Sequence, residues 1–231
     1  RDLNDPDNNV TITTSPIRYF HPVPLCDILI SKCGIATILP LFAQISMKLS
    51  NGEKFENLGG SIVEMLQNLL ALSEFGQKIF YENDGFKIIS HLLMKSDDSD
   101  LKYALYSQFF ILMNELTNED LKKQLFDNIL INVDLWIKCD AESNRRILRH
   151  WAKSLIPTFQ EIALKSISFS WILSILRAFY WYEPIEKGIA MNIDNRSQNQ
   201  ILNVKDCRNS LISVAQFISH SKFTDLDFKN L

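Results

Sequence analysis

The chain has 231 residues, enough for one large domain or two small ones with a sizeable buried core. Hydrophobic residues make up 46% and charged residues 22%, which argues against a disordered, collagenous or coiled-coil chain. The 7 glycines and 7 prolines are too few for the turns of a β-sandwich or barrel, so helices are favoured. A net charge of -3 gives no basic footprint for a phosphate backbone, and we expect no nucleic-acid binding.

The N-terminus, the cysteines and the longest apolar stretch predict the cellular location of the chain. It begins Arg1-Asp2-Leu3 without an initiator Met or an apolar signal segment, which predicts a piece of a larger protein. The widely spaced cysteines are not a disulfide scaffold, so we expect reduced thiols and a cytoplasmic location: Cys26, Cys33, Cys139 and Cys207. The apolar stretch 163–182 contains Lys165 and Arg177, and we interpret it as a buried helix rather than a membrane span.

Apolar periodicity predicts successive packed helices. Residues 1–20 are predicted to be a linker or the end of a preceding domain, and 21–220 an armadillo-like helical domain. A short helix over 22–31 precedes one that starts after Gly34 and is bent by Pro40. Further helices are predicted at 58–72, 74–81, 85–94 and 101–116, the last with apolar residues around most of its circumference.

The second half opens with Thr117-Asn118-Glu119-Asp120, a predicted capping box. Asp140 is the predicted N-cap of a helix that runs towards Pro157 and buries Trp151. A further buried helix is predicted at 167–182. The polar stretch 183–206 is a predicted insertion loop, either functional or mobile. A last helix with Val204, Cys207 and Leu211 inward then leads into a tail at 221–231.

An internal repeat points to one architecture. The segment from Gly34 to Phe42 matches the one from Gly85 to Leu93, with apolar residues one, four, seven and eight positions after each glycine. This is the pattern of the third helix in armadillo repeats, although the spacing of the two segments exceeds the usual repeat length. The sequence therefore predicts an all-α, irregular armadillo/HEAT-like helical solenoid of about 8–10 helices.

The sequence contains no Gly-rich phosphate loop, HExxH, CxxC pair or GxSxG elbow, so we expect neither an enzyme nor a cofactor. A metal site would need His21, Cys26 and Cys33 to be brought together by folding. The predicted helix break at Gly34 spoils the shared face of the two cysteines. Inert buried thiols are the preferred interpretation, and no metal is expected.

Two clusters are candidates for binding. The basic residues Arg145, Arg146, Arg149 and Lys153 could bind an acidic peptide or a phosphoinositide headgroup, although a solvated helix face is the simpler interpretation. The aromatic run from Phe179 to Tyr182 could form a peptide platform, but we favour a place in the core, as we do for Trp136 and Trp151.

The order of several motifs resembles a known family. These motifs are Leu130-Ile131-Asn132-Val133-Asp134-Leu135-Trp136, then 148–159, and then the helix that ends in Phe179-Tyr180-Trp181-Tyr182. The opening of that family's helical region resembles a segment near the start of this chain, which is Cys33-Gly34-Ile35 followed by Leu39-Pro40-Leu41-Phe42 and Gln44. Over about residues 25–220 the chain resembles the armadillo-like helical region of neurobeachin-type BEACH proteins.

The resemblance implies a non-catalytic scaffold within a large protein that serves vesicle trafficking and membrane-protein sorting. It also implies peripheral membrane association through the full-length protein, with protein partners that the sequence does not identify. Two other functions stay open at this point. The helices could be a spacer that fixes the distance between flanking domains, or an adaptor that binds anionic membrane surfaces through the basic residues.

Overall fold

The computed structural model of the chain describes residues 28, 34, 37–47, 57–180 and 198–227, and all regular structure in these residues is helical. The predicted linker, the predicted helix at 22–31 apart from residue 28, and residues 183–197 of the predicted insertion lie outside the described residues. Within them the predicted all-α solenoid is confirmed. The short helices α1 and α7 each form about a single turn, which is why the described part holds more helices than the predicted 8–10.

The helices are numbered here in chain order. The first five are α1 (Leu39–Phe42), α2 (Leu58–Ala71), α3 (Glu74–Glu82), α4 (Gly85–Met94) and α5 (Tyr103–Glu115). The next three are α6 (Glu119–Leu125, continuing as a π-helical turn over Phe126–Leu130), α7 (Val133–Trp136) and α8 (Ala141–His150, continuing through Trp151–Leu155 and Ile156–Thr158). The last are α9 (Gln160–Ser166), α10 (Phe169–Ile175, with a π-helical turn over Leu176–Tyr180) and α11 (Gln198–Asp227).

Helices three apart in the chain pack on each other through most of the described stack, which defines a three-helix repeat. Helices α2, α5, α8 and α11 form one row, α1, α4 and α7 a second, and α3 packs on α6. The first three helices of the longest row begin at residues 58, 103 and 141, so successive repeats span the length expected of armadillo units. The packing of α1 on α4 bears out the internal match between their segments, because the two occupy equivalent positions in successive repeats.

Local signals set most helix starts. Ser73, Asn118 and Asp140 are N-caps whose side chains accept backbone N–H bonds from Gly76, Leu121 and Ser143. The predicted cap at Asp140 is therefore confirmed. The predicted capping box at Thr117 is wrong by one residue, because Thr117 is held by a buried glutamine and Asn118 caps α6 instead.

The start of α1 differs from the prediction, and the start of α4 depends on a glycine. Pro40 lies in the first turn of α1 and begins that helix rather than bending a longer one. Gly85 is required for a close approach, since a Cβ there would lie 2.4 Å from the ring of Phe80. The positive φ of 53° belongs to the preceding residue, Asp84.

The apolar core runs along the whole row of helices. Trp136 and Trp151 are each 1% exposed, as predicted, and Phe42, Phe109 and Phe126 are fully buried. Helix α5 lies between α2 and α8, which agrees with the apolar residues around most of its circumference. Each repeat therefore buries its apolar face by packing on the neighbouring repeats.

Polar side chains join the first two complete repeats. The buried Gln77 of α3 donates to Leu70 O at 2.9 Å and accepts bonds from the backbone N–H of Thr117 and Asn118 at 3.0 and 2.9 Å. Gln124 of α6 accepts from Phe86 N at 3.2 Å, at the start of α4. Asn132 donates to Ser90 Oγ at 3.0 Å. These bonds fix the angle between successive repeats, and apolar periodicity gives no sign of them.

The C-terminal third departs from the predicted helices. The apolar stretch 163–182 is divided by Ile167 and by the N-cap Ser168, so α9 and α10 are separate helices. Helix α10 is less buried than predicted, with Phe169 49%, Leu173 48% and Phe179 41% exposed. Phe179 thus lies outside the core, contrary to expectation, while Tyr180 is buried. Helix α11 begins within the predicted insertion and extends into the predicted tail.

Candidate partner-binding surface on α8 and α11

The candidate basic residues lie on α8, which begins at the N-cap Asp140. The Asp140 side chain accepts a bond from Ser143 N at 2.9 Å. Partial burial by itself would raise the pKa of Asp140, but the bonds donated by Ser143 and by nearby backbone N–H groups lower it below the ordinary value. The charged cap fixes the start of α8 and places Arg145 and Arg149 one turn apart on one face.

Two of the four basic side chains are tied to α11. Asp206 Oδ2 accepts bonds from Arg145 Nη1 at 3.2 Å and from Arg149 Nη2 at 3.4 Å. Arg145 also binds both carboxylate oxygens of Glu142, and the bonds to Glu142 and Asp206 raise the pKa of Arg145 above its ordinary value. Arg145 and Arg149 therefore have a structural role that the sequence analysis missed.

The other two basic residues point to separate environments. The guanidinium of Arg146 lies over the ring of Tyr103, 4.0 Å from its centroid, in a cation–π contact. Lys153 is exposed on the π-helical turn of α8. The four residues are thus distributed over three environments rather than forming one free stripe.

Asn144 is the centre of a buried polar cluster beneath these ion pairs. Its Nδ2 donates to Trp136 O at 3.2 Å, and its Oδ1 accepts from Tyr180 Oη at 2.7 Å and from Cys207 Sγ at 3.5 Å. Arg208 of α11 donates to Tyr180 O at 2.6 Å through Nη2. These bonds join α8, α10 and α11 at one point, and Asn144 was not among the predicted residues.

The two described thiols fit the prediction of inert cysteines. Burial raises the pKa of Cys139 to about 12, with the charge of Asp140 acting in the same direction. Burial and the charge of Asp206 raise the pKa of Cys207 to about 12. Both side chains therefore stay protonated near neutral pH and are poor nucleophiles. The predicted metal candidates His21, Cys26 and Cys33 lie outside the described residues.

An aromatic cluster holds the end of α8 against α5. His150 Nδ1 lies 3.3 Å from Tyr106 Oη, and its ring meets the ring of Phe110 edge-on with centroids 4.4 Å apart. Burial lowers the pKa of His150 and raises that of Tyr106. Both groups are uncharged at neutral pH, so this contact packs α8 on α5 without contributing charge to the surface.

One surface groove is lined by none of the four basic residues. A groove of about 470 Å³ lies between the start of α7 and α10 and includes the exposed Phe179.

None of the described helices is by itself long and apolar enough to cross a bilayer, and α9 with α10 would be so only as a pair, across a 76° bend. Among the described residues, no three His, Cys, Asp or Glu side chains are grouped so that they could hold a metal ion.

Comparison with known proteins agrees with the helical repeat. Residues 18–230 match the family described as Neurobeachin/BDCP, DUF4704 alpha solenoid region. The chain is 28% identical over 176 residues to a neurobeachin homologue of Caenorhabditis elegans, covering 72% of this chain and 7% of that protein. It is 25% identical over 173 residues to the Caenorhabditis briggsae homologue, with the same coverage. The chain spans about 7% of the length of these relatives, and no solved structure matches it.

Proposed function

The chain belongs to the neurobeachin alpha-solenoid family, and we propose that it acts as a non-catalytic interaction scaffold within a large neurobeachin-type protein. The observation that carries the proposal is the three-helix stack, in which polar side chains fix one repeat on the next. A stack of this kind presents long, preformed surfaces on which partners can dock at little cost in ordering. The processes we propose for the intact protein are vesicle trafficking and membrane-protein sorting.

The test compares this region with an unrelated solenoid of similar length in the intact protein. Proximity labelling in cells would record the neighbours of the native protein and of the protein with the exchanged solenoid. We expect a defined subset of neighbours to disappear on exchange. An unchanged set would instead favour a structural spacer, since a spacer needs only length and stiffness.

The basic residues of α8 are our proposed contact for acidic partner segments, in particular the half-exposed Arg149 and the exposed Lys153. Changing Arg145, Arg149 and Lys153 together to Glu places carboxylates against Asp206, so we expect a lower melting temperature and not the unchanged stability that a free stripe would give. Adding Asp206→Arg to that variant restores opposite charges across the α8–α11 contact. Partner binding that stays lost in this restored variant would place the binding on these charges, whereas recovered binding would trace the loss to the fold.

We propose a cytoplasmic location with peripheral association on intracellular membranes through the intact protein. Direct lipid binding ranks lower, because Asp206 already pairs with two of the four cations. Flotation with vesicles containing anionic phosphatidylserine is the measurement. Binding by this chain that falls with salt and with Lys153→Glu would favour the lipid adaptor instead.

A further inference from the structure

The groove between α7 and α10 combines aromatic walls with carboxylates. Its apolar side comes from Trp171, Ile175 and Phe179 of α10. Phe179 is 41% exposed, and Trp171 is held in place by stacking on Trp151 with ring centroids 6.2 Å apart. The opposite side carries Asp127 and Asp134, and no lysine or arginine lines the groove among the described residues.

Of the two carboxylates, Asp127 is paired and, among the described residues, Asp134 is not. Asp127 Oδ2 accepts a bond from Lys123 Nζ at 2.6 Å, and the Asp127 side chain is 31% exposed. Asp134 is exposed, and in the part of the chain that the structure describes it forms no ion pair. An exposed, unpaired carboxylate beside aromatic rings attracts a cation, so this groove suits an incoming positively charged donor.

The junction between α4 and α7 differs from this groove, because side-chain hydrogen bonds link it. Between α4 and α7, Asn132 binds Ser90 Oγ, and Lys138 Nζ donates to Met94 O at 2.6 Å. No described hydrogen bond of this kind joins Asp127 or Asp134 to α10. The α4–α7 junction is therefore linked by side-chain hydrogen bonds, whereas no described hydrogen bond of these two carboxylates reaches α10.

We propose that this groove binds an arginine side chain of a partner protein segment, with an apolar residue beside it. A guanidinium matches both halves of the groove, because its planar fork pairs with carboxylates while its face stacks on aromatic rings. The proposal rests on the scaffold function above and names the chemistry of one of its partners. It also concerns a surface distinct from the basic residues of α8.

The test uses a phage library of random twelve-residue peptides, selected on the 231-residue chain. Enriched peptides would be synthesised and their binding measured by fluorescence polarisation. The groove variants are Asp127→Asn with Asp134→Asn, which removes the charge, and Ala178→Trp, which fills the groove and keeps the charge. The matched control is Glu64→Gln with Glu115→Gln, which removes the same charge from exposed positions outside the groove.

We expect enriched peptides with an arginine beside an apolar residue, and binding that weakens at least about tenfold in both groove variants but not in the control. Replacing that arginine by glutamine in the peptide should give a similar loss. Peptides without arginine enrichment, or equal binding by either groove variant and the control, would overturn the proposal. So would sedimentation that shows a second copy of the chain in the groove, through a dimer that the two Asp→Asn changes abolish.

The groove and the scaffold function can fail separately. If the Asp127→Asn, Asp134→Asn variant of the intact protein keeps every neighbour in proximity labelling while exchange of the whole solenoid removes some, the groove is not the docking site and the scaffold function stands. If exchange removes none, the scaffold function itself fails.

Discussion

The buried Gln77 allows the stiffness of the solenoid to be tested at one side chain. Gln77 is 1% exposed and links α3 to the end of α2 and to the segment before α6. Gln77→Leu keeps a similar volume and removes all of these bonds. Leu70 O loses one donor, and the N–H groups of Thr117 and Asn118 lose their acceptor.

The cost follows from these three backbone groups. Each costs about 1–1.5 kcal/mol net when its bond is lost. The leucine recovers about 1 kcal/mol through its extra apolar surface. We therefore expect the free energy of unfolding to fall by about 2–4 kcal/mol.

Urea unfolding followed by circular dichroism is the assay. With a slope of about 2 kcal/mol per molar urea, the midpoint should fall by about 1–2 M while the slope stays unchanged. Gln216→Leu, at an exposed position of α11, is the matched control and should barely move the midpoint. Hydrogen exchange should also quicken at the amides of Thr117 and Asn118. Equal midpoints for the two variants would refute the reasoning that Gln77 holds the repeats together.

Three further outcomes are expected. Trp136→Ala and Trp151→Ala should each lower the free energy of unfolding by roughly 3–5 kcal/mol in the same urea assay, because each removes a fully buried ring; thermal melts that hardly change would contradict the core assignment. Burial lowers the pKa of His150 from 6.5, so the unfolded chain binds its proton more readily than the native one; stability should fall as the pH drops below 6.5 towards the folded pKa, and His150→Gln should flatten that slope. Cys139 and Cys207 should react with iodoacetamide at pH 8 far more slowly in the native chain than in urea, as mass spectrometry of their peptides would show; equal rates would exclude their burial as protonated thiols.

Local patterns predicted the helices well. The bounds of α4 agree with the predicted 85–94, and Asp140 caps α8 as expected, because each signal lies within a few residues of the structure it forms. The internal match of two segments also predicted the repeat, since equivalent helices meet equivalent neighbours. The error at Thr117 arose when a distant side chain, Gln77, took the hydrogen bonds that a local cap would have made.

The candidate surface could be predicted only as a set of residue types. Periodicity placed Arg145 and Arg149 on one side of α8, but their partner Asp206 lies 61 and 57 residues further along the chain. The same is true of Asn144, which meets Cys207 across 63 residues. A pairing over such a distance produces no periodic pattern in one sequence. Whether a basic residue is free or in an ion pair therefore depends on how the helices pack.

The sequence by itself determined an all-α, armadillo/HEAT-like solenoid, because helix starts, apolar faces and repeated segments are local properties of the chain. Only the tertiary structure decided which charges are neutralised, which aromatic rings of α10 stay exposed, and where a groove remains between α7 and α10. The physical reason is that burial and pairing depend on the relative positions of helices, and these are set by long-range contacts such as those of Gln77 and Asn144.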